Sequence, residues 1–392
     1  MNNIIKHHNN IYLDYAATTP MDIRVIKKMY NYLITNDNFG NSISQIHYFG
    51  QKVHEDIEKA RYQIATIIGG NPQNIIFTSS ASESINLAIK GIIYKYPKKK
   101  HIITCVSEHA ATLQTCYFLE KQNLCDVTYL TVSKIGLIDL DYLKDHIKHN
   151  TILITIMHIN NEIGIIQDIQ HIGEICKQKN IFFHVDATQS IGKFPFNLSN
   201  YNIDLLSFSA HKFYGPKGIG VLYTKHPCLI PLIHGGNHEK GMRAGTLATH
   251  QIIGMAEALY LIHKNIMNEM TRIKFLKNML WDGVKNIPGI FLNSDLNHTS
   301  PYIINLRFKN IFNKLLLLEM HNIAVSLSSA CMTNSYKLSH VLQSLGLTKK
   351  EIHSSIRISF GMFTTIQDIN VTISTIHTAI HKIRHHNKFY SI

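Results

Sequence analysis

The fold is decided by residues 181–218, which read IFFHVDATQSIGKFPFNLSNYNIDLLSFSAHKFYGPKG. Two apolar runs in this stretch, Ile181–Val185 and Leu205–Phe208, lack polar alternation, which is typical of strands buried on both faces of a parallel sheet. Asp186 follows the first run directly, and Lys212 follows the second within four residues. Because ligands bind at the carboxyl ends of such strands, these two side chains are the first candidates for chemistry.

Similar short runs extend the pattern in both directions. They lie at Ile75–Thr78, Ile102–Cys105, Ile152–Met157 and Ile219–Tyr223. The amphipathic stretches between the runs predict helices over Glu83–Tyr94, His109–Gln122 and Ile169–Lys179. Alternation of strands with helices predicts a wound α/β domain.

Helical patterns also flank this region. Ile252–Lys264 is apolar on one face, and the apolar residues from Met267 to Val284 recur at spacings of three and four. Near the start of the chain, Thr19 and Pro20 predict the N-cap and first-turn proline of a helix that runs to about Leu33.

The pattern changes beyond about residue 285. Shorter apolar runs, Ile303–Phe308 and Ile356–Phe360, mix with predicted helices around Asn313–His321 and Asp368–Arg384. We therefore predict a large domain over residues 15–264 and a smaller α+β domain formed by residues 1–14 and 265–392.

Composition bounds the class of protein. Of the 392 residues, 45% are hydrophobic and 17% charged, which excludes global disorder. The net charge of +13 is spread along the chain, so we predict no direct nucleic-acid binding, and an acidic protein partner fits the same charge. No apolar stretch is long enough to span a membrane, and residues 1–15 lack a secretory or import pattern, so we expect a cytoplasmic protein.

Six cysteines occur without a C-x-x-C pair. This spacing argues against a zinc ribbon, a thioredoxin-like motif or a disulfide framework. We expect most of the cysteines to be small buried hydrophobic residues.

Three features of the predicted sheet edge converge on one chemistry. Taken alone, Asp186 reads as a helix cap or ion-pair partner, Lys212 as an outward-reaching lysine, and the serine-rich stretch Ser79–Ser84 as a capped helix start. Taken together, they describe a phosphate seat, an amine and a carboxylate on one sheet. That set predicts a pyridoxal-phosphate pocket, with the lysine holding the aldehyde as a Schiff base and the aspartate keeping the ring nitrogen protonated.

Motifs along nearly the whole chain carry a family resemblance. They are YLDYAATTP (12–20), FTSSASES (77–84), HINNEIG (158–164), HVDATQSIGK (184–193), SFSAHKFYGPKGIG (207–220), HGGNHEKGMRAGT (234–246), SSACMT (328–333) and SIRISFGMFTT (355–365). In this set and order the chain closely resembles the cysteine desulfurases of the housekeeping iron–sulfur-cluster type. These are fold-type-I pyridoxal-phosphate enzymes, so the resemblance implies a mostly parallel seven-stranded sheet and a smaller α+β domain.

The resemblance also implies roles for individual residues. Lys212 carries the cofactor, His109 stacks on its ring and moves protons, and Arg357 clamps the substrate carboxylate. The remaining cofactor-binding residues implied by the family pattern are Ala81, Ser82, Asn161, Asp186, Gln189, Ser209, His211 and Thr246. Asn161 also contacts substrate, and Thr246 reaches the phosphate of the neighbouring subunit, which implies a homodimer.

Cys331 is the implied sulfur acceptor. By resemblance, the enzyme converts L-cysteine to L-alanine and leaves a persulfide on Cys331, which supplies sulfur for iron–sulfur cluster assembly and tRNA thiolation. The same residue is implied as a transient iron–sulfur cluster ligand. Implied partners are an iron–sulfur scaffold protein and other sulfur acceptors, and no membrane is implied.

Some positions depart from the family pattern. Ser80 and Ala210 replace glycines, Ser82 replaces threonine, and Leu327 and Ser328 replace a Ser-Gly pair. We expect Ala210 to add a methyl near the cofactor and the changed pair to reduce backbone freedom before Cys331. The chain also ends at Ile392, before the family's scaffold-binding tail.

Three other functions remain open from the sequence. A selenocysteine lyase or aminotransferase of this fold would share Lys212 and Asp186 without requiring Cys331. A homologue that binds cofactor and acts mainly by protein interaction would fit the altered loop. A basic nucleic-acid binder is the third alternative.

Overall fold

A computed structural model describes residues 10–34, 37–98, 100–226, 229–327 and 338–389. The strands of these ranges, in chain order, are β1 Ile11–Tyr12, β2 Ile75–Thr78, β3 His101–Cys105, β4 Asp126–Leu130, β5 Thr151–Met157, β6 Phe182–Asp186, β7 Leu205–Ser209, β8 Gly220–Thr224, β9 Ile290–Leu292, β10 Ile303–Phe308, β11 Ile323–Ala324, β12 Ser326–Leu327 and β13 Ser355–Ser359. The α-helices are α1 Ile23–Tyr30, α2 Tyr48–Ile68, α3 Ala81–Lys95, α4 Ala110–Lys121, α5 Leu140–Asp145, α6 Ile169–Lys179, α7 Thr249–His263, α8 Ile266–Val284, α9 Asn313–Glu319, α10 His340–Ser344, α11 Lys349–Ile352 and α12 Ile366–Phe389.

The central sheet has seven strands in the described residues, in the order β2-β8-β7-β6-β5-β3-β4. Strand β8 is antiparallel to both neighbours, and the other pairs are parallel. Every residue of β5 is buried, as expected for a strand covered on both faces. The predicted wound α/β fold with a mostly parallel seven-stranded sheet is confirmed.

Helices cover both faces of this sheet. One apolar cluster joins α1, α2, α6 and α7 to one face, through residues such as Val25, Ile57 and Ile252. Another joins α3 and α4 to the opposite face, through residues such as Ile89 and Leu119. The result is a three-layer arrangement in which the carboxyl ends of β5, β6 and β7 lie side by side.

A separate apolar cluster lies between α8, α12 and a smaller antiparallel sheet of order β12-β13-β10-β9. The N-terminal strand β1 joins this part by pairing in parallel with β11. We retain the division between residues 264 and 265 as a proposal, supported by the separate apolar clusters on either side of the α7–α8 junction.

The start of α1 differs from the prediction. The helix begins at Ile23, and its N-cap is Asp22, whose carboxylate accepts from the Arg24 amide at 2.8 Å. The Thr19 hydroxyl instead donates to the His211 carbonyl and accepts from the Tyr214 amide. Thr19 is therefore committed to the Lys212 turn and is unavailable as a cap, and α1 ends at Tyr30, short of Leu33.

Helix α2 and strand β4 add to the elements that the sequence patterns predicted. Helix α2 buries Val53, Ile57, Ile64 and Ile68 at helical spacing and ends at Gly69, whose φ of 70° suits glycine. Strand β4 is an edge strand whose middle residues are only half-buried, so it lacks a continuous apolar run.

No helix in the described part of the chain combines the length and the apolar character that crossing a bilayer requires.

Candidate active site

A cavity of about 310 Å³ lies at the carboxyl ends of β5, β6 and β7. The predicted site residues other than Thr246 and Cys331 line it: Ala81, Ser82, His109, Asn161, Asp186, Gln189, Ser209, His211, Lys212 and Arg357. The sheet brings together residues that lie far apart in sequence because its parallel strands end at one edge.

Lys212 ends a short 3₁₀ turn, Ala210–Lys212, that follows β7. Its Nζ donates to the carbonyls of Ala16 and Ala17, each at 2.7 Å. Burial and the nearby Arg357 charge together lower the pKa of this amine to about 8, while Asp186 and Asp14 oppose the shift. A lysine held in this way keeps a reactive, partly unprotonated amine near neutral pH.

Asp186 is the last residue of β6 and is 6% exposed. One carboxylate oxygen accepts from the Thr188 amide at 2.9 Å. The other oxygen has no hydrogen-bond partner within the described ranges, and Asp186 forms no ion pair there. A buried carboxylate with a free oxygen facing a cavity fits a cationic group of a ligand.

His109 has two roles in the structure. It is the N-cap of α4, where Nδ1 accepts from the Ala111 amide at 3.1 Å, and it also lines the cavity. Because Nδ1 accepts, the neutral ring carries its proton on Nε2. Burial lowers the pKa of His109, and Lys212 lowers it further, against the opposing effect of Asp186.

The start of α3 presents free backbone donors. The Ser80 hydroxyl caps the helix by accepting from the Glu83 amide, and Glu83 in turn accepts from the Ser79 amide at 2.7 Å. The amides of Ala81 and Ser82 have no acceptor in the described part of the chain. A helix start with free N–H groups attracts a phosphate.

Strand β8 packs closely under this helix start. A Cβ placed on Gly220 would lie 2.5 Å from the Ser80 carbonyl carbon, so only glycine fits there. Ser209 and His211 complete the nearby wall: the Ser209 hydroxyl donates to the Ile219 carbonyl at 3.0 Å, and His211 Nδ1 lies 3.2 Å from the Thr18 hydroxyl. Burial lowers the pKa of His211 to about 4, so the ring is neutral at pH 7.

Arg357 enters the cavity from β13 of the smaller sheet and is 2% exposed. Its Nη1 donates to the Asn161 carbonyl at 2.8 Å, and its Nη2 donates to Asp14 at 2.7 Å. The buried Nε has no partner within the described residues. An anchored guanidinium with a spare donor fits a carboxylate ligand.

Two predicted residues do not line the cavity. Thr246 is exposed on the loop before α7, and its contact with a neighbouring subunit stays a prediction. Cys331 lies outside the described residues. Strand β12, which ends four residues before it, pairs with β13 so that Ser326 lies opposite Arg357.

The methyl of Ala210 lies elsewhere than predicted. Ala210 is fully buried in the large apolar cluster. A Cβ placed on Gly215 would lie 2.8 Å from the Ala210 Cβ. The methyl therefore packs against the Gly215 turn instead of lining the cavity.

The sequence motifs do not single out two buried residues beside the site. Glu108 lies next to His109, accepts from the Met157 amide at 2.8 Å, and has a second oxygen without a partner in the described ranges. Burial raises the pKa of Glu108 well above its usual range. Lys193 is buried and donates to Gln189. From the sequence, both could have been found only as charged residues that adjoin motifs expected to be buried.

A second cavity of about 360 Å³ lies beside α2 and the turn at residues 237–242. Its buried charges already neutralise one another, because Arg61 donates to both carboxylate oxygens of Glu239. Glu239 also accepts from the Phe77 amide of the edge strand β2. This arrangement reads as structural support, and we place the chemistry at the smaller cavity.

Comparison with known proteins identifies the family. The aminotransferase class-V family matches residues 11–371. The chain belongs to this family. Its cofactor is pyridoxal 5′-phosphate.

Several similar proteins share a name. A protein called cysteine desulfurase IscS from Buchnera aphidicola subsp. Baizongia pistaciae (strain Bp) is 52% identical to this chain. A protein of the same name from Escherichia coli O9:H4 (strain HS) is 48% identical. Each match covers 95% of this chain and 93% of the relative. A solved NifS-like protein is 33% identical, with a TM-score of 0.88 over 96% of this chain and 99% of its own. A structure described as SspA in complex with cysteine is 38% identical, with a TM-score of 0.81 over 91% of this chain and 100% of its own.

The cavity fits the cofactor by the chemistry of its donors. The free amides at the start of α3 suit the phosphate, and the free oxygen of Asp186 suits the ring nitrogen. The amine of Lys212, with its lowered pKa, suits the aldehyde. The unpartnered Nε of Arg357 remains for a substrate carboxylate.

Proposed function

We propose that this chain is a cysteine desulfurase that removes sulfur from L-cysteine, releases L-alanine and passes the sulfur to Cys331 as a persulfide. The observation that carries the proposal is the Lys212 amine, whose pKa is lowered to about 8, in one cavity with Asp186 and Arg357. Relatives named cysteine desulfurase IscS and a similar structure containing cysteine support the choice of substrate.

Arg357 binds and orients the substrate in this proposal. The contacts with Asn161 and Asp14 fix the guanidinium plane, and Nε donates to the substrate carboxylate. Because Arg357 comes from the smaller sheet and Lys212 from the large one, the substrate lies between the two parts of the chain.

Lys212 and Asp186 act on protons in this proposal. When bound, pyridoxal phosphate supplies an electron sink that acidifies the substrate Cα–H. Lys212 attaches the cofactor at rest and acts as the base at Cα once the substrate amine has taken its place. Asp186 holds a proton on the ring nitrogen, and His109 has a proton on Nε2 available inside the cavity.

Sulfur leaves through Cys331 in this proposal. The Cys331 thiolate attacks the substrate sulfur, a sulfur–sulfur bond forms, and the substrate Cβ–S bond breaks. The electron pair of that bond stays with the carbon skeleton, which takes up protons and leaves as alanine. The positive charges of Lys212 and Arg357 favour a thiolate that approaches the cavity.

The proposal includes a homodimer. Apolar side chains of α1, α2 and the intervening loop are exposed, including Ile46 at 97% and the adjoining rings of Phe39 and Phe49. A patch of this kind marks an interaction surface, which supports a second copy as partner. Thr246, exposed and outside its own cavity, is placed in the proposal at the phosphate of that partner.

Downstream partners and location complete the proposal. We assign the sulfur to an iron–sulfur scaffold protein and other acceptors, including those of tRNA thiolation, because the resemblance carried by the sequence motifs implies them. A cytoplasmic location is supported by the four free, buried cysteines of the described residues, Cys105, Cys116, Cys125 and Cys176, since disulfides are rare there.

Turnover with cysteine tests the proposal. The purified protein, loaded with pyridoxal phosphate and given L-cysteine and a reductant, is expected to form alanine and sulfide in equal amounts over many turnovers. Cys331→Ala is expected to keep the yellow cofactor band and lose multiple turnover, whereas Cys176→Ser serves as a buried-cysteine control with activity retained. Full turnover by Cys331→Ala would refute the assignment of Cys331 as the sulfur acceptor.

A further inference from the structure

Lys193 is a buried lysine beside the candidate site. It is 5% exposed and follows β6 in the turn that carries Gln189. Its Nζ donates to Gln189 Oε1, the one hydrogen-bond acceptor of this amine in the described chain. Because burying an amine against a single neutral acceptor is costly, the contact requires an explanation beyond packing.

Gln189 connects this lysine to Lys212. Gln189 Nε2 donates to the Ala16 carbonyl at 2.9 Å, and the same carbonyl accepts from Lys212 Nζ at 2.7 Å. Ala16, Gln189 and Lys212 all line the cavity. A continuous hydrogen-bonded chain therefore runs from Lys193 through the Gln189 amide and the Ala16 carbonyl to the reactive amine.

The chain fixes which end of the Gln189 amide meets the cavity. The Lys193 amine donates to the Gln189 amide oxygen, which places that oxygen on the Lys193 side. The Ala16 carbonyl can only accept, so it requires the NH₂ group on the other side. One N–H of that NH₂ group is used by Ala16, and the second has no acceptor among the described residues.

We propose that Lys193 is a positioning residue that locks the Gln189 amide with its N–H toward the cavity, where it stabilises an anionic oxygen of the bound cofactor beside Lys212. The proposal rests on the proposed function, because pyridoxal phosphate carries a phenolic oxygen next to the aldehyde that joins Lys212. Donation from Lys193 to the amide oxygen also polarises the amide and strengthens its N–H as a donor.

Charged and titratable neighbours act on Lys193 from several elements. Burial lowers the pKa of Lys193 well below its usual range, and the charges of Lys212 and Arg357 lower it further. The Tyr302 ring lies 5.9 Å from Nζ. Because its pKa is lowered, Lys193 carries less positive charge that could act on the site directly. Its N–H can still donate to Gln189 whether the amine is protonated or neutral.

A pH titration of the visible cofactor band in the loaded protein tests this inference. Loss of the amide donor disfavours the anionic oxygen, so Lys193→Met is expected to raise the titration midpoint by about 0.5 to 1 pH unit. Lys193→Gln, which restores an N–H donor without charge, is expected to return the midpoint toward the wild-type value. Lys277→Met is the matched control, because Lys277 is equally buried but donates to Thr299 and Ser300 outside the cavity.

A double-mutant cycle separates positioning from charge. In a Gln189→Leu background, Lys193→Met is expected to leave the midpoint unchanged, since the residue through which it acts is gone. If Lys193→Met shifts the titration midpoint equally in the wild-type and Gln189→Leu backgrounds, or in neither, the inference is overturned. The presence of the visible cofactor band would still uphold the proposed cofactor. A wild-type protein that shows no band with pyridoxal phosphate would overturn both proposals.

Discussion

The lowered pKa of Lys212 predicts how fast the cofactor-free protein captures pyridoxal phosphate. Only the unprotonated amine attacks an aldehyde, so the rate depends on pH. The experiment varies the pH from 6 to 10.5. At pH 7, a pKa of about 8 leaves about 9% of the amine unprotonated, against about 0.03% for the ordinary lysine pKa of about 10.5. Capture at pH 7 should therefore be about 300-fold faster than by a lysine of equal intrinsic reactivity with the ordinary pKa.

Stopped-flow absorbance with the full-length cofactor-free chain measures this rate. The rate is expected to rise about tenfold per pH unit below pH 7.5 and to level off above about pH 8.5, because the amine is then mostly unprotonated. Lys212→Ala provides the background from surface lysines, which is subtracted. A specific rate that still climbs tenfold per unit beyond pH 9.5 would refute the claim that burial and Arg357 depress this pKa.

Three further changes test other contacts. Arg357→Lys is expected to raise the KM for cysteine about 10- to 100-fold with a smaller change in kcat, because a lysine ammonium lacks the planar fork that contacts Asn161 and Asp14 and still leaves a donor for the substrate; steady-state kinetics measure it, and an unchanged KM contradicts the carboxylate role. Glu239→Gln is expected to lower the free energy of unfolding by about 2 kcal/mol, because Arg61 loses its buried charged partner and keeps only the more exposed Glu58; urea denaturation measures it, and a loss under about 0.5 kcal/mol contradicts the importance of the pairing. Glu108→Gln is expected to stabilise the protein more at pH 8 than at pH 5. The raised pKa of Glu108 keeps a proton on the folded protein that the unfolded chain releases above about pH 4.3, so the stability of the wild type falls as pH rises. Urea unfolding at both pH values measures the effect, and equal changes at the two would argue against a protonated Glu108.

The large sheet could be predicted from sequence because its strands are buried on both faces. Ile152–Met157 and Leu205–Phe208 are apolar runs interrupted only by Thr155 and Ser207, and β5 and β7 appear almost at those limits. Strand β4 could not be found in this way, since a half-buried edge strand such as Asp126–Leu130 mixes polar and apolar residues.

Cap positions depended on contacts that sequence does not reveal. Thr19 and Asp22 are both good N-cap residues, and only the approach of the Lys212 turn, with the His211 carbonyl and the Tyr214 amide, commits Thr19 elsewhere. The methyl of Ala210 is a similar case, because its direction follows from the packing of the Gly215 turn.

The site was predictable where motifs follow strands. Asp186 and Lys212 could be proposed from their positions after apolar runs, whereas Arg357 required a family resemblance, because it comes from a different sheet more than a hundred residues away. The contact of Lys193 with Gln189 could not be read from the sequence, since it depends on a turn that folds a charged residue inward.

The junction of the N-terminal segment with late parts of the chain affects the order in which the site assembles during synthesis. Strand β1 pairs with β11, and the Ala16 amide donates to the Ser359 hydroxyl, a partner 343 residues away. The carbonyls that hold Lys212 therefore cannot be fixed in place while the nascent chain is still leaving the ribosome. Assembly of this wall waits for the late strands, so the newly made polypeptide spends its first moments without the amine in its final setting.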